Sequence, residues 1–268
     1  MNFVKSLVLT ISLFGFLPAA FASDEFDRCI DLLRAEHNEE GIPLCISAAE
    51  QGDAGAQYHL GAMYGQGNGV PKDDKQSVYW YTKGAEQGHA GSQYFLAYMY
   101  HYGEGVPQDD KQAVHWFTQA AQQGHAGAQY NLGGMSESGL GVPQDYKQAV
   151  YWVVKAAEQG HAGAQNMLGT LYEKGNGVPQ DYKQAVYWYT KGAEQGQADA
   201  QLSLGVMYWF GKGVLKDLVE AYAWLNLSAA QGNERSGEGR DLAAETMTLS
   251  QIEKAQKLSK VYYEKYVK

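Results

Sequence analysis

The dipeptide Gln-Gly ends at Gly52, Gly88, Gly124, Gly160, Gly196 and Gly232, a recurrence of 36 residues. Tryptophan keeps the same phase at Trp80, Trp116, Trp152, Trp188 and Trp224, and aspartate at Asp73, Asp109, Asp145, Asp181 and Asp217. A fixed period in this range marks a repeat array, in which no unit can bury its apolar face except against its neighbours. An array points to a binding scaffold before an enzyme, because it leaves little room for one singular catalytic constellation.

Residues 53–88 show the plan of one repeat. Ala56, Leu60, Met63 and Tyr64 recur at helical spacing, and Gly67-Asn68-Gly69-Val70-Pro71 is a turn that no helix passes through. Asp73 is placed to cap a second helix carrying Val78, Trp80, Tyr81 and Ala85, which Gly88 ends. Residues 89–124, 125–160, 161–196 and 197–232 follow the same plan. Gly61, Gly133, Gly169 and Gly205, with Ala97 as the exception, sit inside first helices, where glycine costs about 1 kcal/mol against alanine. Close approach of the paired helix is the expected reason.

The ends depart from the period, as array ends must. Residues 1–22 read as an export signal: a basic start at Lys5, an apolar run from Ser6 to Phe16, and Ala20-Phe21-Ala22 before a mature start at Ser23. That run is too short to span a bilayer. Residues 23–52 read as a capping hairpin, with helices around Phe26 to Glu36 and Pro43 to Gln51. Its two cysteines, Cys29 and Cys45, are the only ones in the chain and predict a disulfide in an exported protein. Residues 233–268 read as two capping helices, Glu234 to Glu245 and Thr248 to Val267, with Thr248 and Gln251 or Ser250 and Glu253 as a capping box. The whole reads as one elongated all-α domain of about seven helix pairs.

The landmarks Ala-x-Ala-Gln-x-x-Leu-Gly, Gly-x-Gly-Val-x-x-Asp and Ala-x-x-Trp-x-x-x-x-Ala-Glu-Gln-Gly resemble the SEL-one-like repeat (SLR) family, relatives of tetratricopeptide repeats. The resemblance implies a right-handed α-solenoid, a superhelix of stacked antiparallel helix pairs with the first helices on its concave side. It also implies an adaptor in protein–protein assembly, often in bacterial envelopes or secreted host-interaction factors. Ser136 replaces the tyrosine of Tyr64, Tyr100, Tyr172 and Tyr208, and Leu215 replaces the turn proline.

The chemistry of sites is sparse. His89, His125 and His161 share one repeat position, and packed helices lie roughly 8–10 Å apart. Zinc ligands must converge to about 2.1 Å of one ion, so these histidines cannot share a metal, and they are expected at the exposed starts of the first helices. Asp109, Asp145 and Asp181 are equivalent caps, too far apart to act as a carboxylate pair. The Gly-x-Gly turns follow helices and lack the lysine of a phosphate loop. Cysteine-rich relatives in the family carry β-lactam-binding and β-lactamase descriptions, but this chain has no Ser-x-x-Lys, Ser-x-Asn or Lys-Thr-Gly. No catalytic residue, metal or cofactor is therefore expected. A formal net charge of −9, with basic residues scattered, argues against nucleic acid as partner.

Specificity is expected where the repeats differ at fixed helical positions. The first-helix stripes read Tyr58, Tyr94, Tyr130, Asn166, Leu202, then His59, Phe95, Asn131, Met167, Ser203, and one turn on Ala62, Tyr98, Gly134, Thr170, Val206. Tyr58, His59, Tyr94, Phe95, Tyr98, Tyr130, Asn131 and Asn166 are the candidate contacts for a protein or peptide on the concave face. Trp209, outside the tryptophan phase, is a ninth candidate that packing under the C-terminal cap also explains. The sequence thus reads as a monomeric, non-catalytic scaffold, periplasmic or secreted. Cell-wall glycan is the second ligand class and a β-lactam hydrolase the third reading.

Overall fold

The computed structural model of the chain describes residues 19–267, and every regular element among them is an α-helix. Segment 1–22, read as an export signal, lies outside the described residues except for 19–22, which open the first helix. No helix among the described residues is long and apolar enough to cross a membrane. The chain divides into two compact units, one ending at Gln87 and the other beginning at Gly88, where the period alone reads as one array.

The first unit holds α1 (Ala19–Arg34), α2 (Asn38–Glu50), α3 (Ala54–Gln66) and α4 (Asp74–Glu86). Cys29 and Cys45 are fully buried and disulfide-bonded, with their Cα atoms 5.3 Å apart, so α1 and α2 are tied together. Both helices start earlier than the sequence predicts, and Pro43 lies inside α2. Gly41 is the reason for the second difference. A Cβ there would come within 3.2 Å of Leu32 and Leu33, so close packing on α1 holds helix ahead of the proline. Glu39 and Glu40 in the first turn favour the same start through the helix dipole.

The second unit holds α5 (Ala90–Tyr102), α6 (Asp110–Gln122), α7 (Ala126–Ser138), α8 (Tyr146–Glu158), α9 (Ala162–Lys174), α10 (Tyr182–Glu194), α11 (Ala198–Phe210), α12 (Leu218–Ala230), α13 (Glu234–Glu245) and α14 (Leu249–Tyr266). Helices pair within each repeat, and the second helix of one repeat packs on the first helix of the next. The capping box is the Thr248–Gln251 alternative, with both reciprocal bonds formed. The last helix lays Tyr262 and Tyr266 on Trp224, with ring centroids 4.6 and 5.6 Å away, and so covers the end of the array.

Local chemistry makes each pair. Asp73, Asp109, Asp145, Asp181 and Asp217 all accept bonds from the backbone N–H groups two and three residues on, capping α4, α6, α8, α10 and α12. The mid-helix glycines admit close contact: a Cβ on Gly61 would lie 2.7 Å from the Tyr81 ring, and one on Gly169 2.6 Å from that of Tyr189. Leu215, exposed where other repeats have proline, leaves the turn intact, since Gly211 and Gly213 keep positive φ angles of 67° and 72°.

The Gln-Gly period has its own bond. Gln159 donates to the side-chain oxygen of Gln129 over 2.7 Å, Gln195 to Gln165 over 2.7 Å, and Gln231 to Gln201 over 2.8 Å. Each accepting glutamine is buried on a first helix and passes its own N–H back to the preceding repeat: Gln129 to Ala121 O, Gln165 to Ala157 O, Gln201 to Ala193 O. Gln57 makes the same relay in the first unit, accepting from Gln87 and donating to Ala49 O. Replacing Gln165 by Met keeps the volume but removes both bonds of the relay, the one to Ala157 O and the one from Gln195, and is expected to cost about 1–3 kcal/mol in urea unfolding. Gln195→Met, at the exposed end of the same relay, should cost less.

Histidine caps the first helices of three repeats, and this revises the expectation that His89, His125 and His161 are exposed. All three are half-buried, and Nδ1 of each accepts the backbone N–H of Ser92, Ala128 or Ala164. His125 and His161 also stack on Tyr94 and Tyr130 of the preceding repeat, with centroids 4.5 and 4.7 Å apart. Burial holds both imidazoles below their usual pKa, and a proton on Nδ1 would delete the cap acceptor. The stability carried by the neutral rings is complete above the unfolded pKa of about 6.5 and is lost as pH falls from there through the lower folded value. Urea midpoints should therefore fall between pH 7.5 and 5.5. That fall should shrink in a His125→Asn, His161→Asn variant, whose caps do not titrate.

Candidate interaction surface

With the landmark residues committed to the helix pairs, the first helices of the second unit present the positions that differ between repeats. On α7, α9 and α11 these positions surround a cavity of about 470 Å³. Tyr130, Asn131 and Glu137 come from α7, Asn166 and Lys174 from α9, and Asp199 from the first turn of α11. The space exists because Gly134 stands where the neighbouring repeats have Tyr98 and Thr170. A Cβ at Gly134 would meet nothing within 4 Å.

The structure brings three of the candidate residues together here: Tyr130, Asn131 and Asn166. Tyr130 is half-buried, and its hydroxyl pKa is raised, first by burial and then by the charge of Asp199. Tyr94 lies among Phe95, Phe117 and His125, at centroid distances of 5.1, 5.7 and 4.5 Å, so its ring is framework as much as surface. Tyr98 is exposed, and its ring lies 4.3 Å from that of Tyr102, a residue the stripe analysis missed because it falls one helical turn further on. Tyr58 and His59 belong to the first unit, where His59 lies 5.2 Å from the Phe26 ring and Tyr58 6.0 Å from that of Tyr81. Trp209 is half-buried against the cluster of Tyr222, Ala243, Met247 and Ala255, which matches the packing alternative, while its neighbour Phe210 is exposed.

Sequence reasoning also missed Glu137, Lys174 and Asp199. They sit at the edges of the stripes, and no repeat-to-repeat comparison of one position alone singles them out. Elsewhere, His101 pairs with Asp110 over 2.6 Å at the cavity margin. Among the described residues, no group of three or more His, Cys, Asp or Glu side chains is placed to hold a metal ion.

Comparison with known proteins agrees with this architecture. One solved structure, a protective antigen present in uropathogenic Escherichia coli strains and displaying an SLR fold, is 40% identical with a TM-score of 0.80. The match covers 83% of this chain and 48% of that one, so this chain spans about half the length of that relative. A Sel1 repeat protein from Oxalobacter formigenes is 36% identical with a TM-score of 0.72, over 78% of this chain and 86% of its own. No curated protein matches. The Sel1 repeat model matches residues 54–89, 90–125, 126–161, 162–197 and 198–233, in step with the helix pairs described above, and the chain belongs to the Sel1 repeat family.

Proposed function

We propose that the protein is an exported, non-catalytic scaffold that binds a segment of a protein partner on the face formed by α5, α7, α9 and α11. Sel1 repeat proteins are generally protein–protein interaction modules and typically non-catalytic. The observation that carries the reading is the division of labour between positions. Recurring residues such as Leu132, Ala164 and Gln165 are buried in the pairs, while Tyr130, Asn131, Gly134 and Asn166, at positions that vary, line one cavity. Tyrosine and asparagine there suit a peptide, offering contact area together with backbone-matching hydrogen bonds. Export is supported by the apolar segment at Ser6 to Phe16 and by the Cys29–Cys45 disulfide, which persists in an oxidising compartment. Cell-wall glycan is the second reading, because the exposed Tyr98 and Tyr102 rings also offer faces on which sugars stack.

Crosslinking pull-down from the cell envelope and culture medium tests the proposal. The informative variant is Tyr98→Ala with Asn131→Ala, because Tyr94 and Tyr130 also stack on helix caps. A protein captured by the wild type should be lost by this variant, with unfolding free energy changed by only about 0.5 kcal/mol. Undiminished capture would remove this face as the site. Retention on cell-wall fragments with no protein captured would favour the glycan reading.

A further inference from the structure

The repeat that opens the cavity differs from the next one at positions that work together. In residues 161–196, the Tyr189 hydroxyl donates to Glu173 over 2.8 Å and lies 3.2 Å from Thr170 Oγ1. One period earlier the same positions are Val153, Glu137 and Gly134. The carboxylate is kept, but its donor and the side chain beside it are gone. Val153 is fully buried and has nothing to donate. Glu137 is half-buried, and among the described residues its carboxylate enters no hydrogen bond or ion pair; only its backbone carbonyl accepts a bond, from Gln144.

Asn166, which lines the same space, carries a second acceptor. Asn166 Oδ1 is buried with no hydrogen-bond partner among the described residues. The third is the exposed carboxylate of Asp199, held loosely by Gln197 and Asn233 at 3.4 and 3.3 Å. Unmet acceptors in a half-enclosed site are costly, so a ligand that brings several donors and a positive charge gains the most there. Lys174 lines the cavity too, but it is exposed and forms no ion pair among the described residues.

We propose that this cavity receives an arginine side chain of the bound protein segment, with Glu137 as its principal counter-ion. The assignment rests on the reading of this face as a protein-binding surface and gives that partner a chemistry. A guanidinium presents five donors in a plane, enough to serve the Glu137 carboxylate and the Asn166 oxygen at once. The Cβ–Cγ torsion of asparagine is soft, so Oδ1 can turn to an arriving donor. Tyr130 also lines the site, and the chain's net charge of −9 favours a basic partner at a distance. Lysine, a compact and strongly hydrated charge with three donors, satisfies fewer of these groups.

The test uses the isotope-labelled protein and an alanine-based heptapeptide with one central arginine, followed by NMR and calorimetry. The control peptide carries citrulline, which keeps the shape and removes the charge. The arginine peptide should shift the Gly134 and Asn166 signals and bind at least about tenfold more tightly than the citrulline peptide. Glu137→Gln should cost about tenfold, and Lys174→Gln should strengthen binding by removing a competing cation. Gly134→Tyr, which restores the tyrosine found at Tyr98 and adds a side chain where a Cβ meets nothing, should abolish binding without unfolding the helix. Equal binding of the two peptides overturns the proposal, as does indifference to both Glu137→Gln and Gly134→Tyr, or no shift at millimolar arginine peptide. A protein partner lost by the Tyr98→Ala, Asn131→Ala variant but kept by Glu137→Gln and Gly134→Tyr would leave the scaffold standing and remove the arginine site. Arginine-peptide binding with no protein captured from any extract would do the reverse.

Discussion

A buried glutamine amide on the first helix of each repeat sets the terms for its surroundings. An amide removed from water must find both a donor and an acceptor, or its burial costs more than its packing returns. In four repeats the acceptor it needs is a carbonyl of the preceding repeat, and in these and one more the donor comes from the glutamine of Gln-Gly at the end of its own. The two glutamines are 30 residues apart in sequence, and both bonds form only when neighbouring pairs sit in one register. The relay therefore converts a sequence period into a spatial one, which apolar packing, being non-directional, specifies less sharply.

Around the relay, each repeat is assembled from local devices whose residue types follow from their tasks. An acceptor side chain stands at every described helix start from Asp53 to Thr248, whether it is aspartate, histidine, glutamine, asparagine or threonine. Glycine appears inside first helices where the Tyr81 or Tyr189 ring presses on the backbone. Because these devices carry the framework, the outward positions of the first helices are free to change. One repeat uses that freedom to lose bulk at Gly134, where a cavity opens. The separation is incomplete, since Tyr94 and Tyr130 serve surface and framework together through their stacks on His125 and His161.

The fold was legible almost residue by residue wherever the period ran. The helices, their aspartate caps and the glycines at close contacts follow from spacing, because capping and helical periodicity act within a few residues of chain. Reading failed where long-range packing overrode local preference. Pro43 marks a helix start by local rules, yet Gly41 against Leu32 and Leu33 carries the helix past it. His125 and His161 look like solvated polar residues in sequence, and the tyrosine of the preceding repeat covers each.

The sequence by itself determined the repeat, its register, its caps, the Cys29–Cys45 pairing and the set of positions free to vary, because each depends on contacts at short or fixed sequence separation. Only the tertiary structure decided which of those positions form a site. Glu137 lies on one first helix, but Asn166 and Asp199 come from the next two repeats, and no periodic signal links residues that occupy three different positions of the repeat. Their juxtaposition is a property of stacked helices: spacing places each side chain on a face, and packing decides which faces enclose a common space and which donor is missing from it.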